Sequence, residues 1–201
     1  PNNSTEHCIA SNHPKLPQLG TREIPLTKEI WIEQSDFVIT PPKGFFRLYP
    51  GNKVRLRFGY VIECLSYDVD EEGKPNTIYC RYFSESKSGS LNNNSHKVKG
   101  NIHWLSLQHA VPCTINLFDR LFLSSDPSKI ENLLEHINPH SKKTTRAFIE
   151  PSLKSAQRGD QFQFERHGYF ILDKTDGNEN SFVFNRTVTL RDTWAKGRKG
   201  K

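Results

Sequence analysis

The chain has 201 residues, 28 Lys and Arg against 22 Asp and Glu, a net charge of +6 with His neutral, and 34% hydrophobic residues. That apolar share is below the roughly 45–50% of an average domain, but 13 Phe, 6 Tyr and 3 Trp supply large buried areas and exclude wholesale disorder. No stretch approaches ~18 consecutive apolar residues and Pro1 to Glu6 lacks the regions of a secretion signal, so a soluble, cytoplasmic protein of one or two small domains is expected.

In chain order, the first 27 residues carry Pro14, Pro17 and Pro25 with little periodicity, which predicts an extended lead-in. Val54, Leu56, Phe58, Tyr60 and Ile62 then alternate with Arg55, Arg57 and Gly59 after a Pro50-Gly51-Asn52 turn, and this is the clearest strand signal. Ile78 to Phe83, Ile102 to Leu107, Thr114 to Phe118, Gln161 to Phe164, Tyr169 to Leu172, Ser181 to Phe184 and Val188 to Leu190 read likewise. Between them, Asp126 as N-cap, Pro127 at the first helical position, and Ile130, Leu133, Leu134 and Ile137 at helical spacing predict one helix that Asn138-Pro139 ends. Ser84 to Ser95, Lys174 to Asn180 and the basic tail from Lys196 to Lys201 predict loops. Seven or more short strands make the fold mainly β, a barrel or sandwich, with that helix plugging one end.

The residues offer no self-contained active site. Cys8, Cys64, Cys80 and Cys113 lack a paired spacing, so reduced thiols are expected rather than zinc or disulfides. His103 and His109 suit neither a helix face nor zinc spacing, and Asp70, Glu71 and Glu72 read as solvated turn charges. No nucleophile elbow or Gly-rich phosphate loop is present, and the sequons at Asn2, Asn3, Asn93 and Asn185 read as chance matches.

Two polar sets remain. Arg47, Arg55 and Arg57 surround one turn, with Phe45, Phe46, Tyr49 and Phe58 interleaved. A guanidinium can meet phosphate or a base edge and an aromatic face can stack an unpaired base, which suits looped RNA. Core packing of Phe45 and Phe46 beside a solvated arginine face stands equally open at this point. Gln161, Gln163, Glu165 and Arg166 form the second set on an aromatic strand, with donors and acceptors able to read base edges.

A succession of motifs then becomes recognisable. They are Asn12-His13-Pro14, Glu29-Ile30-Trp31-Ile32-Glu33 with Asp36-Phe37, Val54-Arg55-Leu56-Arg57, Lys97-Val98-Lys99-Gly100 with Ile102-His103-Trp104, and Phe118-Asp119-Arg120-Leu121-Phe122. Glu150-Pro151-Ser152-Leu153-Lys154, Phe162-Gln163-Phe164-Glu165-Arg166 before Gly168-Tyr169-Phe170, and Phe184-Asn185-Arg186-Thr187-Val188 before Leu190-Arg191-Asp192-Thr193-Trp194 complete the series. In this order, from about Asn12 to Lys196, the chain resembles the C-terminal anticodon-binding region of the glutaminyl-tRNA synthetases.

The resemblance implies two small β-barrels in tandem with one or two short helices, gripping the anticodon loop of glutamine tRNA. The expected division is a proximal barrel from residues 1–27 and 121–201 with a distal barrel, residues 28–120, nested inside it. It implies a monomer that binds tRNA and is joined to a catalytic domain absent from this chain. ATP and Mg²⁺ would serve that domain, and the chain alone would need no cofactor and be inactive. The lack of any Met then reads as the mark of a fragment. Arg47 aligns with the arginine that reads the third anticodon base, a guanine, Arg55 and Arg57 with the strand lining the wobble-base pocket, and Gln163, Glu165 and Arg166 with the set around the middle uridine. Lys15 stands where an Asn is common beside the loop's purine. Gly44 and Phe46 replace a common Gln and Lys, which implies weaker backbone contacts or stacking in their place. The family's first base-contacting arginine falls upstream of Pro1, so a blurred specificity is expected. A glutamyl-tRNA synthetase anticodon-binding domain and a ribosomal 5S-rRNA-binding barrel protein are the rival readings, and Arg57 with Phe162 to Arg166 favours the glutamine enzyme.

Overall fold

The period-two alternation is realised as thirteen strands in a computed structural model that describes residues 4–91, 96–124, 126–177 and 181–190. In order they are β1 (Glu6–Ser11), β2 (Thr21–Leu26), β3 (Ile30–Ile32), β4 (Lys53–Leu56), β5 (Val61–Val69), β6 (Pro75–Phe83), β7 (Asn101–Ile102), β8 (Trp104–Ser106), β9 (Val111–Phe118), β10 (Lys142–Ile149), β11 (Gln161–Phe164), β12 (Gly168–Leu172) and β13 (Phe182–Val188). The helices among the described residues are 3₁₀ turns of three to five residues. The motif from Arg191 to Trp194 and the tail from Lys196 lie outside the described residues, as do the sequons' Asn2, Asn3 and Asn93 and part of the loops expected at 84–95 and 174–180.

The chain divides into two units, Pro1–Ala110 and Val111–Lys201. In the first, β1 and β2 form an antiparallel hairpin, β3 pairs with β8, and a four-stranded sheet runs β6-β5-β4-β7 with β4 and β7 parallel. Its core gathers Cys8, Ala10, Ile24 and Leu26 from the hairpin with Leu48, Val54, Leu56, Ile102 and Trp104. The second holds one five-stranded sheet, β10-β9-β13-β12-β11, in which β13 runs parallel to β9. Its inward faces supply Val111, Cys113, Ile115, Ile149, Phe170, Leu172, Phe182 and Phe184. Burial pushes the Cys113 thiol up to about 12, as desolvation of a thiolate requires.

Several sequence expectations are corrected. Residues 1–27 are not an extended lead-in but hold the β1–β2 hairpin. Alternate positions of β1 and β2 carry small and branched apolar side chains into the first core, and this ties them to residues up to 110. The clearest predicted strand is two strands. Phe58 takes a positive φ of 62° and the Gly59 amide bonds the Leu56 carbonyl at 2.8 Å, so the chain reverses between β4 and β5. The alternation continues across that reversal, which hides it in the sequence. His103 likewise separates β7 from β8, whereas 182–188 is one continuous strand.

The predicted helix from Asp126 is two separate 3₁₀ turns, Pro127–Lys129 and Leu133–His136. Its cap forms, since Asp126 accepts from the Ser128 amide, but Ile130 at φ −103°, ψ 120° leaves helical geometry. Most helical stability comes from packing an apolar face, and this face has no such cover, with Leu134 78% exposed. The segment pairs instead with residues 121–123: the Leu123 amide bonds the His136 carbonyl at 3.0 Å and the Asn138 amide the Leu121 carbonyl at 2.8 Å.

Candidate nucleic-acid interface

The first polar set is built on the turn before β4. The Leu48 amide donates to the Asp36 carbonyl at 2.9 Å and the Val38 amide to the Leu48 carbonyl at 3.2 Å, so the Arg47 backbone is laced to the segment bearing Asp36. Asn52 braces the same turn: its Nδ2 donates to the Arg47 carbonyl and its Oδ1 accepts from the Tyr49 amide, both at 3.0 Å. The Arg47 side chain is 38% exposed, and its Nε lies 3.2 Å from Oδ1 of Asp36, whose own side chain is fully buried. Nη1 donates to the Ser35 carbonyl at 2.9 Å. A buried carboxylate thus holds a partly exposed guanidinium in one orientation.

Arg55 and Arg57 are more deeply engaged. Arg55 Nη1 donates to the Ser86 carbonyl at 2.6 Å, with the Gly59 carbonyl and Ser88 Oγ at 3.4 Å, and so brackets the 84–88 turn to β4. Ser86 is buried and its Oγ accepts from the Val61 amide. Arg57 lies over the Phe58 ring, 4.9 Å from its centroid, and its carbonyl accepts from Trp104 Nε1 at 2.9 Å.

Beside Arg47 opens a groove of about 400 Å³ lined by Phe45, Phe46, Tyr49, Asn52, Lys53, Lys97, Val98, Lys99 and Gly100. Phe46 is 55% exposed, with Lys99 Nζ 5.5 Å from its ring centroid. The equal alternative left by the sequence, Phe46 as core, is therefore excluded. The floor requires glycine: a Cβ at Gly100 would stand 2.0 Å from the Phe46 carbonyl oxygen and 2.8 Å from Val54 Cγ1. Gly100→Ala is expected to destabilise the chain by about 1–3 kcal/mol through overpacking, read as a lower urea midpoint at unchanged slope; an unchanged midpoint would show that the Phe46 turn yields freely.

The second set lies on β11, at the edge of its sheet. Phe162 and Phe164 turn toward the core, where Phe164 stacks on Phe170 at 4.5 Å and tilts against Phe184 at 5.2 Å. Gln161 and Gln163 consequently face out, and Gln163 stands opposite Tyr169, which is 46% exposed. Arg166 follows in a turn at φ 65°, closed by the His167 amide on the Phe164 carbonyl at 3.0 Å. Gly168 ends this turn at φ 136°, where a Cβ would lie 2.3 Å from the Val188 carbonyl oxygen. The amides of Asp176 and Thr175 and the Asn185 side chain hold the Asp173 carboxyl, just after β12, well below the ordinary carboxylate range.

Lys15 is exposed in the loop between β1 and β2, where its amide donates to His13 Nδ1 at 3.1 Å. Arg47, Arg55, Arg57 and Lys15 thus belong to the first unit, and Gln163, Glu165 and Arg166 to the second. Sequence reading did not assign roles to Asp36, Asn52, Lys53, Tyr169 or the Lys97 and Lys99 pair. The last two had a visible signal, the Lys97-Val98-Lys99-Gly100 motif. Among the described residues no group of three or more His, Cys, Asp or Glu could hold a metal ion, and no helix is long and apolar enough to cross a membrane.

Two family models match the chain, over residues 1–83 and 101–173, and both describe the anticodon-binding domain of class I tRNA synthetases for glutamate and glutamine. Among curated proteins, the glutamine–tRNA ligase of Ralstonia pickettii is 52% identical over 98% of this chain and 34% of its own length. Those of Cupriavidus metallidurans and Nitrosomonas europaea are 50% and 47% identical, again over 98% of the chain. The chain spans about a third of the length of these relatives.

Proposed function

Because the chain belongs to the class I anticodon-binding family shared by the glutamine and glutamate tRNA synthetases, we propose that it recognises the anticodon loop of glutamine tRNA as part of a glutamine–tRNA ligase. The observation that carries this reading is the partly exposed Arg47 guanidinium held by the buried Asp36 carboxylate, on the turn whose Phe45, Phe46 and Tyr49 line an aromatic and basic groove. A planar fork fixed before binding suits guanine, which offers O6 and N7 side by side. Relatives named as glutamine–tRNA ligases support the glutamine specificity over the glutamate one.

In this reading the two units act as the distal and proximal barrels of the family. Gln163 meets the middle uridine, with Glu165 and Arg166 beside it. Arg55 and Arg57 line the wobble-base pocket, and Lys15 attends the loop's purine. The complete ligase would work in the cytoplasm as a monomer, with ATP and Mg²⁺ serving its catalytic domain and this chain supplying recognition.

Gln163 gives the cleanest test because it is exposed and its loss leaves the core intact. Gln163→Ala is expected to weaken binding of a hairpin carrying the middle uridine by about 1 kcal/mol, the scale of one hydrogen bond, and to leave a hairpin with another middle base nearly unaffected. Filter binding or fluorescence anisotropy on the two hairpins measures this, and an unchanged ratio between them would refute the assignment.

A further inference from the structure

We propose that the groove beside Arg47 is a nucleotide subsite: Phe46 stacks the loop nucleotide immediately 3′ of the base read by Arg47, while Lys97 and Lys99 hold its phosphates. The inference rests on the anticodon-loop reading and extends it to residues that reading does not use.

The argument begins with Phe46. An aromatic ring 55% exposed on a turn otherwise tied down by backbone and Asn52 hydrogen bonds is a wet apolar face with a fixed orientation. Such a face is what an unpaired base stacks on, whatever its sequence. Three lysines line the same groove. Lys99 already stands over the Phe46 ring, 5.5 Å from its centroid, so a cation and an aromatic face meet in the groove. Lys97 and Lys99 are exposed, free to follow a phosphate as flexible point charges rather than to read a base edge. The volume of about 400 Å³ falls in the roughly 300–1,000 Å³ of small-molecule sites. A base on Phe46 with lysines beside it fits this layout better than an acidic peptide, which has no use for an exposed aromatic ring.

The choice of nucleotide follows from the neighbours. Phe46 directly precedes Arg47, which takes the third anticodon base, and the middle base on its 5′ side is assigned to Gln163. That leaves the neighbour on the 3′ side, the loop's purine: Lys15 is assigned beside it, and no residue has been given its ring face.

The test uses the anticodon hairpin with 2-aminopurine at that 3′ position. Wild-type chain should quench the probe. Phe46→Ala should abolish the quench and weaken binding about tenfold or more, and Phe46→Trp should restore both. The Lys97→Ala/Lys99→Ala double variant should lower the slope of log affinity against log salt by about 1.4, near 0.7 per phosphate of a single strand, and keep the preference for guanine at the third position. All three positions are solvent-facing, so urea midpoints should match wild type and exclude a folding artefact. If the variants keep wild-type affinity, quench and salt slope while wild type still prefers guanine, the subsite is refuted and the anticodon reading survives. If wild type itself does not distinguish the hairpins, both fall together.

Discussion

Arg47→Ala is expected to cost the chain both selectivity and stability. In binding, loss of the fork should remove about 1–3 kcal/mol from a hairpin with guanine at the third anticodon position and little from hairpins with other bases there. In folding, the Asp36 carboxylate, fully buried, loses the guanidinium 3.2 Å away. Removing one partner of a fully buried pair costs about 3–5 kcal/mol, but Arg47 is 38% exposed and water screens part of the interaction, so about 2 kcal/mol is the expected loss. Arg47→Lys separates the two roles. An ammonium keeps a positive charge near Asp36 and should return much of the stability, yet it cannot present two parallel donors to guanine and should not return selectivity. Urea unfolding followed by circular dichroism, beside binding to the hairpin series, reads both quantities. Equal weakening across all third-position bases would make Arg47 a phosphate clamp.

Trp104→Ala should have the largest effect on the fold. The indole is 2% exposed in the core of the first unit, and its Nε1 donates to the Arg57 carbonyl at 2.9 Å. Truncation of a buried aromatic of this size costs about 3–5 kcal/mol, from lost transfer energy and the cavity left behind. Trp104→Phe keeps much of the packing but removes the donor, which should cost about 1–2 kcal/mol because the Arg57 carbonyl loses its partner. That carbonyl sits at the tight turn between β4 and β5, so the phenylalanine variant should also loosen the turn that presents Arg57. The expected signature is a measurable fall in hairpin affinity at a temperature where the variant is still folded. A loss below about 1 kcal/mol for Trp104→Ala would contradict the packing described for this core.

Much of this architecture is written locally. Alternation placed the strands around Gln161 and Tyr169, because one face of each turns toward the core and the period of two survives in the sequence. It failed where a tertiary fact decided the outcome. The reversal at Phe58 and Gly59 was invisible because both flanking strands continue the same alternation, and only the positive φ at Phe58 breaks it. The predicted helix had its cap and stripe, but no core stands over Leu133 and Leu134 to hold it. The β1–β2 hairpin was masked by Pro14, Pro17 and Pro25, although Cys8, Ala10, Ile24 and Leu26 are core residues.

The site was legible in its residue types and less so in its wiring. Arg47 and Gln163 stood out as hydrogen-bonding groups among aromatics, and each lies at an exposed or partly exposed position. Asp36 was visible only within the Asp36-Phe37 motif, which says nothing of its burial or of its place against Arg47. Arg55 looked equivalent to Arg47, yet its Nη1 meets the Ser86 carbonyl at 2.6 Å, a contact set by a distant turn. Lys97 and Lys99 were visible only as a motif, and their place beside Phe46 depends on how closely Gly100 packs beneath the Phe46 carbonyl.

The central claim is base recognition, and binding of this chain to a glutamine-tRNA anticodon hairpin tests it most directly. The hairpin is compared with versions in which the middle uridine and the third guanine are exchanged, at two salt concentrations. Phosphate attraction fades with salt, whereas base contacts persist. A preference for the native loop that survives the higher salt is the predicted result. Equal, salt-sensitive binding to all hairpins would contradict it and leave the chain only an electrostatic grip on RNA.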